Sequence, residues 1–296
     1  MIAERSVVAG GAELRWVESG EGPGPPFLLL HGIGWCRDHW NDVLGPLGEH
    51  RRTIALDLPG FGRSSAPPGP YSPAWLAGGV RSFLDAIGVE RAIVAGNSLG
   101  GLVGLHFAAA WPERTVALAA LAPTLPNDGP PPSIKTTLVF TLGALPGVGV
   151  ALMRAAWRRP PEAQVAESVA RNMVDPSRLS AGTRALLEDH ARRRGRSPDL
   201  QRANLLAQRH MLSAVTARRL QTWDVVRAVR VPAAFIWGKE DRAVPVGIGH
   251  RAVAELPGAH LIVLDDCGHN PQLEHPGELA RALVSFARAA EAGGVS

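Results

Sequence analysis

The sequence predicts an α/β protein whose central sheet is mostly parallel, and three observations support this fold class. Strand and helix patterns alternate over residues 1–122, which is typical of a doubly wound parallel sheet. The run Phe-Leu-Leu-Leu at residues 27–30 is apolar at every position, as expected of a strand buried on both faces. Strand patterns return at residues 231–237, after a long segment that shows helical periodicity only.

The elements before residue 122 begin with two short extended runs between Ser6 and Glu18. Gly10 and Gly11 separate these runs and predict the turn of a hairpin. Apolar and β-branched runs predict the remaining strands, and apolar residues at helical spacing predict the helices between them. The predicted strands are residues 27–30, 53–57, 91–95 and 115–121, and the predicted helices are residues 35–47, 73–87 and 102–111.

Residues 124–222 predict three to five helices and no strand. The first two form an apolar pair at residues 136–145 and 150–157, and the run Arg-Arg-Arg-Gly-Arg at residues 192–196 predicts an exposed turn between two later helices. We therefore expect a core domain of residues 1–123 and 223–296, interrupted by a helical insertion. After the insertion the predicted strands are residues 231–237 and 260–264, and helices are predicted up to Leu256 and over residues 277–290.

The composition is that of a globular chain: 296 residues, 46% of them hydrophobic, with a mean hydropathy of +0.02. The charged N-terminus precedes no apolar signal sequence, and the apolar run from Leu138 to Met153 is too short to span a bilayer. Two cysteines, Cys36 and Cys267, are too few for a disulfide scaffold and lack metal-ligand spacing. We expect a cytoplasmic protein without a membrane segment, a metal or another cofactor.

The basic residues are 29 arginines and two lysines, and no basic tract alternates with aromatic residues. This pattern argues against a nucleic-acid partner. Residues 124–222 contain 15 basic and seven acidic residues, so the inserted segment is basic. Two interpretations stay open: a solvated arginine-rich surface, or a field that attracts an anionic substrate.

The stretch from Arg91 to Gly101 combines a buried strand, a glycine-rich turn and the start of an apolar helix. Gly96 and Gly100 suit such a turn, because a missing Cβ lets the strand and the helix approach each other closely. Ser98 stands at the apex, where its hydroxyl points out of the sheet. A serine that merely caps the following helix is the alternative interpretation.

The turn Gly-Asn-Ser-Leu-Gly at residues 96–100 has the form of a nucleophile elbow, and the chain resembles the α/β-hydrolase family. A His-Gly pair after the third strand and the pattern Asp-x-Pro-Gly-x-Gly-x-Ser from Asp57 support this resemblance. It implies an eight-stranded, mostly parallel sheet flanked by helices, a helical cap over residues 124–222, and Ser98 as the nucleophile of a hydrolase.

The resemblance also implies an oxyanion hole made of backbone N–H groups. One donor corresponds to Ile33, in the loop opened by His31 and Gly32, and the other to Leu99, the residue after the nucleophile. We expect His31 to hold this loop by hydrogen bonds and not to act as the general base. Asp57 is expected to anchor its own turn.

The triad acid and base of the family stand after two later strands. The pattern Gly-x-x-Asp-x-x-x-Pro assigns the acid to Asp241, with Glu240 as the adjacent alternative; neighbouring side chains at a strand end point apart. A Gly-His pair after the last strand assigns the base to His269. His275 resembles a less essential position of the same motif, and we expect it to face the following helix.

These three residues have complementary chemistry. A serine hydroxyl needs an adjacent base to accept its proton, and an imidazole with a pKa near neutrality can both accept and return it. A buried carboxylate fixes the imidazole tautomer. The order Ser98, Asp241, His269 is the order that the resembled topology produces.

The preferred hypothesis is a serine hydrolase of the carboxylesterase or lipase type (EC 3.1.1). It would cleave an ester of a largely apolar small molecule through an acyl-enzyme on Ser98, and apolar cap residues are expected to line the pocket. Epoxide hydrolases and haloalkane dehalogenases of this fold carry Asp at the position of Ser98, which argues against those activities.

The alternative is a carbon–carbon bond hydrolase. The stretches Gly-Asn-Ser-x-Gly-Gly and Trp-Gly-Lys-Glu-Asp-Arg-x-Val-Pro resemble those of the meta-cleavage-product hydrolases, whose anionic substrates would suit a basic cap. Those enzymes usually carry Trp after the catalytic His, where this chain has Asn270. Further alternatives are a non-hydrolytic lyase or elimination catalyst of secondary metabolism, and a binding module that has kept the fold.

Overall fold

One eight-stranded sheet forms the centre of the computed structural model, which describes residues 2–127 and 147–293. The strand order is β1-β2-β4-β3-β5-β6-β7-β8. The pairs β1–β2 and β2–β4 are antiparallel and all the others are parallel, so the predicted mostly parallel eight-stranded fold is confirmed. The strands are β1 (Ala3–Ala9), β2 (Ala12–Ser19), β3 (Phe27–Leu30), β4 (Thr53–Leu56), β5 (Ala92–Asn97), β6 (Thr115–Leu121), β7 (Ala233–Gly238) and β8 (His260–Leu264).

Helices connect most of these strands. Six of those in the described residues follow core strands: α1 (Asn41–Gly48), α2 (Pro73–Ala86), α3 (Leu99–Ala110), α9 (Gly247–Glu255), α10 (Pro271–Glu274) and α11 (Pro276–Glu291). Five more lie between β6 and β7 in the chain: α4 (Val148–Trp157), α5 (Pro161–Asn172), α6 (Ala181–Arg196), α7 (Pro198–Val215) and α8 (Arg219–Ala228).

The sheet is covered on both faces, because successive side chains of each strand point to opposite sides. Leu28 and Val94 belong to the apolar cluster packed against α2 and α3, whereas Leu29 and Ile93 belong to the cluster packed against α1 and α11. This double coverage explains why the parallel strands are apolar throughout. It leaves the carboxyl ends of the strands as the edge where polar groups can meet.

The hairpin and the helix starts follow from local chemistry. Gly10 and Gly11 both have positive φ, at +57° and +76°, as the hairpin turn between β1 and β2 requires. The hydroxyl of Ser72 accepts a hydrogen bond from the N–H of Trp75 and caps α2, which begins with Pro73. The hairpin turn at the two glycines and the start of α2 at Pro73 agree with the sequence prediction.

Two predicted elements differ from the structure at their ends. The predicted helix at residues 35–47 is a short 3₁₀ turn, Arg37–Trp40, followed by α1. The helix predicted from residue 102 begins earlier, since α3 starts at Leu99, directly after Ser98.

The prediction of an exposed turn at residues 192–196 is wrong, because these residues form the last turn of α6. Gly195 was interpreted as a turn residue, but within the helix its missing Cβ lets the carbonyl of Trp157 approach closely. Ion pairs of Arg192 and Arg193 with Asp189, one helical turn earlier, favour the helix, as does the position of these cations at its C-terminal end.

The division into a core and a cap at residues 124–222 stays a prediction; α8 runs across its second boundary. The predicted helix at residues 136–145 lies outside the described residues. Among the residues that the structure describes, none of the helices combines the length and apolar character needed to cross a membrane.

Candidate active site

Ser98 lies between β5 and α3 with a left-handed backbone, φ +56° and ψ −113°. Such a conformation is costly for a residue with a Cβ and persists where surrounding contacts hold it. The turn is tight: a Cβ at Gly100 would overlap the carbonyl oxygen of Leu30, and a Cβ at Gly96 would overlap that of Gly100. The glycines therefore let α3 begin directly behind Ser98, which is 7% exposed.

Asp241 and His269 follow the neighbouring strands β7 and β8 and are in direct contact. His269 Nδ1 lies 2.7 Å from Oδ2 of Asp241, whose side chain is fully buried. The other oxygen of Asp241 accepts hydrogen bonds from the N–H groups of Ala243 and Val244, each at 2.8 Å. Because a carboxylate only accepts, Nδ1 carries the proton and Nε2 is left with a lone pair that can take a proton.

The backbone of His269 is held from two sides. Its N–H donates to the carbonyl of Asn172 at 2.6 Å, and its carbonyl accepts from Nδ2 of Asn97 at 3.0 Å. Gln272 Nε2 donates in turn to Oδ1 of Asn97 at 3.2 Å. Since Asn97 directly precedes Ser98, its amide ties the histidine loop to the elbow.

Glu274 ties the same loop to the residues that follow α5. Its carboxylate accepts hydrogen bonds from the N–H of Gly268 at 2.8 Å and from that of Val174 at 2.7 Å. Glu274 is 4% exposed, and burial raises the pKa of its carboxyl. The position of the histidine loop thus depends on contacts with residues 172–174 as well as with the sheet.

The Ser98 hydroxyl has a different partner in this structure. Its Oγ lies 3.3 Å from Oγ1 of Thr124, and no hydrogen bond joins it to His269 in the described part of the chain. The structure therefore brings Asp241 and His269 together and sets the elbow beside them through Asn97. The complete triad stays a prediction.

The predicted oxyanion loop passes directly against the elbow. A Cβ built at Gly32 would lie 3.5 Å from Cβ of Ser98. Within residues 2–127 and 147–293, the N–H groups of Ile33 and Leu99 donate to no protein acceptor. Both donors are thus available to a ligand, and their role as an oxyanion hole stays a prediction.

His31 has the loop-holding contacts that were expected of it. Its Nδ1 donates to the carbonyl of Gly32 at 2.8 Å, and its Nε2 accepts from the N–H of Leu58 at 3.1 Å. Complete burial lowers the pKa of His31 to about 4. The neutral ring joins two loops and has no free nitrogen for proton transfer.

Asp57 anchors its turn as expected. Its carboxylate accepts hydrogen bonds from the N–H of Arg37 at 2.7 Å and of Arg63 at 2.9 Å. Gly62 has φ +58°, and a Cβ at this position would overlap the Asp57 carboxylate. The glycine is therefore required by both its backbone conformation and its neighbour.

The remaining candidates point elsewhere. Glu240 Oε2 accepts from the N–H of Cys267 at 3.0 Å, so the alternative acid supports the backbone before His269 and does not contact the imidazole. His275 does not only face the following helix as predicted: its Nε2 lies 2.9 Å from the carbonyl oxygen of Asp266, and its Nδ1 lies 3.6 Å from Oε2 of Glu278 in α11.

A cavity of about 210 Å³ opens beside the loop after β3, between that loop and helices α4 to α7. Two residues that follow β3, Ile33 and Gly34, line it on one side. The residues that line it from helices α4 to α7 include Trp157, Gln164, Arg194 and Asn204. Its lining combines aromatic surface with several polar groups, as small-molecule sites do.

Arg194 is the only buried cation of this cavity in the described residues, at 8% exposed. Its guanidinium donates to the carbonyl of Gly34 and, at 2.9 Å, to Oε1 of Gln164, and it stacks over the ring of Trp157. Burial lowers the pKa of Arg194 to about 10. Among residues 2–127 and 147–293 no carboxylate pairs with Arg194, so within this part of the chain its buried positive charge lines the cavity without a counterion.

The fold and the elbow define a hydrolase-type α/β protein. Residues 27–282 match the model of the alpha/beta hydrolase family, and the chain belongs to this family.

Two curated relatives are hydrolases of dienoic acids. A 2-hydroxy-6-oxononadienedioate/2-hydroxy-6-oxononatrienedioate hydrolase of Paraburkholderia phymatum is 30% identical over 296 residues, covering 95% of this chain and 93% of the relative. A 2-hydroxy-6-oxo-6-phenylhexa-2,4-dienoate hydrolase of Burkholderia cepacia is 30% identical over 273 residues, covering 90% of this chain and 88% of the relative.

A solved structure of a membrane phospholipase A, a bacterial virulence factor, is also similar. The two chains superpose with a TM-score of 0.79 at 26% identity, over 98% of this chain and 87% of the other. The similar proteins thus include two named hydrolases and a phospholipase A.

Sequence reasoning missed several residues of this site. Arg194 was assigned to an exposed turn, and Thr124 and Asn204 were not singled out. Thr124 had one usable signal, its place directly after the strand next to the elbow, in Ala-Pro-Thr. Arg194 and Asn204 had none, since their approach to Gly34 depends on how α6 and α7 pack.

Proposed function

We propose that this protein is a serine hydrolase that cleaves a carbon–carbon bond in an anionic keto acid of the dienoate type. The observation that carries the proposal is Arg194, a buried guanidinium without a described carboxylate partner, beside the predicted oxyanion loop. A carboxylate is a natural ligand of such a group, because two parallel N–H donors match its two oxygens. The two relatives named for dienoic acid substrates support the same class.

Asn204 supports a substrate that carries a hydroxyl or enol close to its carboxylate. Its Oδ1 is buried and accepts no hydrogen bond from a described residue, while its Nδ2 donates to the carbonyl of Leu200 at 2.8 Å. A Cβ at Gly34 would lie 3.3 Å from Arg194 Nη1 and 3.7 Å from this Oδ1, so a cation and a free acceptor stand side by side. An adjacent carboxylate and O–H donor would satisfy both.

The proposed reaction uses Ser98, His269 and Asp241 as follows. His269 takes the Ser98 proton while Oγ attacks the keto carbon, and the N–H groups of Ile33 and Leu99 hold the oxyanion. Before the attack, the enol proton of the substrate moves to the carbon next to the keto carbon, which becomes sp3, and the 2-hydroxyl becomes a 2-oxo group. Collapse of the tetrahedral intermediate then breaks the bond between these two carbons. The released electron pair is delocalised through the neighbouring C=C bond onto the 2-oxo group as a dienolate, which takes the proton back from His269. Water, deprotonated by His269, then hydrolyses the acyl-enzyme and releases a carboxylic acid.

Ester cleavage, the preferred hypothesis from sequence alone, is the second candidate. Asn270 favours it, because the resembling carbon–carbon hydrolases usually carry Trp at this position. The same nucleophile and base would serve both reactions. The choice therefore depends on the substrate pocket and not on the triad.

A comparison of two substrates tests the proposal. We expect the purified protein to consume 2-hydroxy-6-oxo-6-phenylhexa-2,4-dienoate, followed by its visible absorbance, with a kcat/KM at least about a hundredfold above that for p-nitrophenyl butyrate. Ser98→Ala should abolish both reactions. A higher kcat/KM for the ester would overturn the proposal in favour of ester cleavage.

A further inference from the structure

The turn after β6 lies directly over the nucleophile elbow. The N–H of Ser98 donates to the carbonyl of Leu121 at 2.9 Å, and the N–H of Thr124 donates back to the carbonyl of Ser98 at 3.2 Å. Between them Ala122 has a positive φ of +38°, a conformation that a residue with a Cβ adopts only under constraint. The turns after β5 and β6 thus each contain a residue with a strained backbone, Ser98 and Ala122, and the two turns are hydrogen-bonded to each other.

The turn is also fixed by packing. Pro123 rests on the first turn of α3, where a Cβ at Gly101 would lie 2.9 Å from Cβ of Pro123. Thr124 is β-branched, so few orientations of its hydroxyl are open once its backbone is held. Its Oγ1 is thereby kept 3.3 Å from Oγ of Ser98.

We propose that Thr124 is a positioning residue that holds the Ser98 hydroxyl in a resting orientation and competes with His269 for it. The inference rests on the proposed role of Ser98 as nucleophile. In the structure Oγ of Ser98 lies within hydrogen-bond distance of Oγ1 of Thr124, where either hydroxyl can donate, and no hydrogen bond to His269 is present among the described residues. The competition arises in the arrangement in which Ser98 donates to Thr124. Attack requires the opposite arrangement, because His269 can take the proton only from a hydroxyl that points to it.

The size of the effect follows from the hydrogen bond. A bond between two neutral hydroxyl groups shifts an equilibrium about two- to tenfold. The observed reactivity of Ser98 is its intrinsic reactivity multiplied by the fraction of molecules in which it faces His269. Removing the Thr124 hydroxyl should therefore make Ser98 react faster.

The test compares the rates at which a fluorophosphonate probe labels the wild type, Thr124→Val and Thr124→Ser. Valine keeps the shape of threonine without the hydroxyl, and serine keeps the hydroxyl. We expect Thr124→Val to be labelled about two- to tenfold faster than the wild type and Thr124→Ser to match the wild type within twofold. A purely structural role would instead slow labelling in Thr124→Val and would not predict rescue by serine.

The outcomes separate this inference from the proposed function. If the wild type is labelled at Ser98 but Thr124→Val is labelled at the same rate or more slowly, the inference about Thr124 is wrong and Ser98 is still the nucleophile. A folded wild type that is not labelled at Ser98 would contradict the proposed function itself. Thr124→Ala provides a second variant with the same expected acceleration, should valine disturb the fold, as judged by thermal unfolding.

Discussion

The imidazole of His269 is oriented by Asp241, whose Oδ2 lies 2.7 Å from Nδ1 and whose Oδ1 is held by two backbone N–H groups. This arrangement fixes the tautomer that leaves Nε2 free to accept a proton. Asp241→Asn keeps the shape of the side chain but can donate to Nδ1, which favours the wrong tautomer. We expect a fall in kcat of about 10⁴ with little change in KM, measured under saturating substrate.

Glu240→Gln is the matched control for this prediction. Glu240 accepts a hydrogen bond from the N–H of Cys267, which a glutamine oxygen can also accept. We expect its kcat to remain within about threefold of the wild type, since only a backbone contact is exchanged. Equal losses of kcat in Asp241→Asn and Glu240→Gln would mean that Asp241 stabilises the fold and does not orient the imidazole of His269.

Replacing Arg194, the buried cation that lines the cavity, should lower the activity toward anionic substrates selectively. We expect Arg194→Met to lower kcat/KM for the dienoate about 10- to 100-fold, because the free energy of a charge-assisted hydrogen bond corresponds to a factor of this size. The kcat/KM for p-nitrophenyl butyrate should change by less than about threefold, because this ester carries no charge for Arg194 to bind. Arg193→Met removes the same charge from the adjacent position, where the guanidinium pairs with Asp189, and should leave both substrates nearly unaffected. Parallel losses for both substrates in Arg194→Met would contradict an anion site.

The turn anchored by Asp57 gives a stability prediction. Gly62→Ala should lower the free energy of unfolding by about 3 kcal/mol or more, because the new Cβ would overlap the Asp57 carboxylate at a positive φ. Gly11→Ala is the control, since its φ is also positive, at +76°, but open space surrounds the new Cβ. It should cost only about 1 kcal/mol of backbone strain, measured by urea unfolding. Similar losses in both would show that the clash is relieved at no cost.

Acid should destabilise the protein partly through His31. The pKa of this buried ring is about 4, below its ordinary value of 6.5, so the unfolded chain takes up the proton first as the pH falls. The stabilisation is complete above pH 6.5 and declines until the pH reaches about 4. We expect His31 to account for about 2 kcal/mol of the loss between pH 7.5 and pH 5.

The pH dependence is tested by urea unfolding at both pH values. His31→Asn should lose less stability than the wild type over this interval, whatever its stability at pH 7.5. His250→Gln, at an exposed position of α9, should lose as much as the wild type, because its ring contacts solvent in the folded and the unfolded state. Identical losses in wild type and His31→Asn would show that the ring is protonated in the folded protein.

The fold could be predicted because its signals are local, and Asp241 and His269 could be assigned because the motifs around them resemble those of the α/β-hydrolase family. Continuous apolar runs identify buried strands, and the carboxyl ends of neighbouring parallel strands meet at one edge of the sheet. Gly96 and Gly100 indicate a tight turn, because a Cβ at either position would overlap the backbone. The need for a small residue at such a turn is visible in the sequence, because it concerns residues that are close neighbours along the chain.

The substrate side of the site could not be predicted in the same way. Arg194 lies in an arginine run that has the composition of a solvated turn, and only the packing of α6 on Gly34 and Trp157 buries it. Thr124 lies next to Ser98 because Ala122 adopts a positive φ, and no sequence pattern predicts this backbone conformation.

The central claim is that Ser98 forms a covalent bond during the reaction, and intact-mass spectrometry after treatment with a fluorophosphonate tests it most directly. We predict a single adduct on the folded protein, located by peptide mapping on Ser98, and no adduct on the Ser98→Ala variant. A folded wild type that remains unmodified, or an adduct of equal yield on Ser98→Ala, would contradict the account.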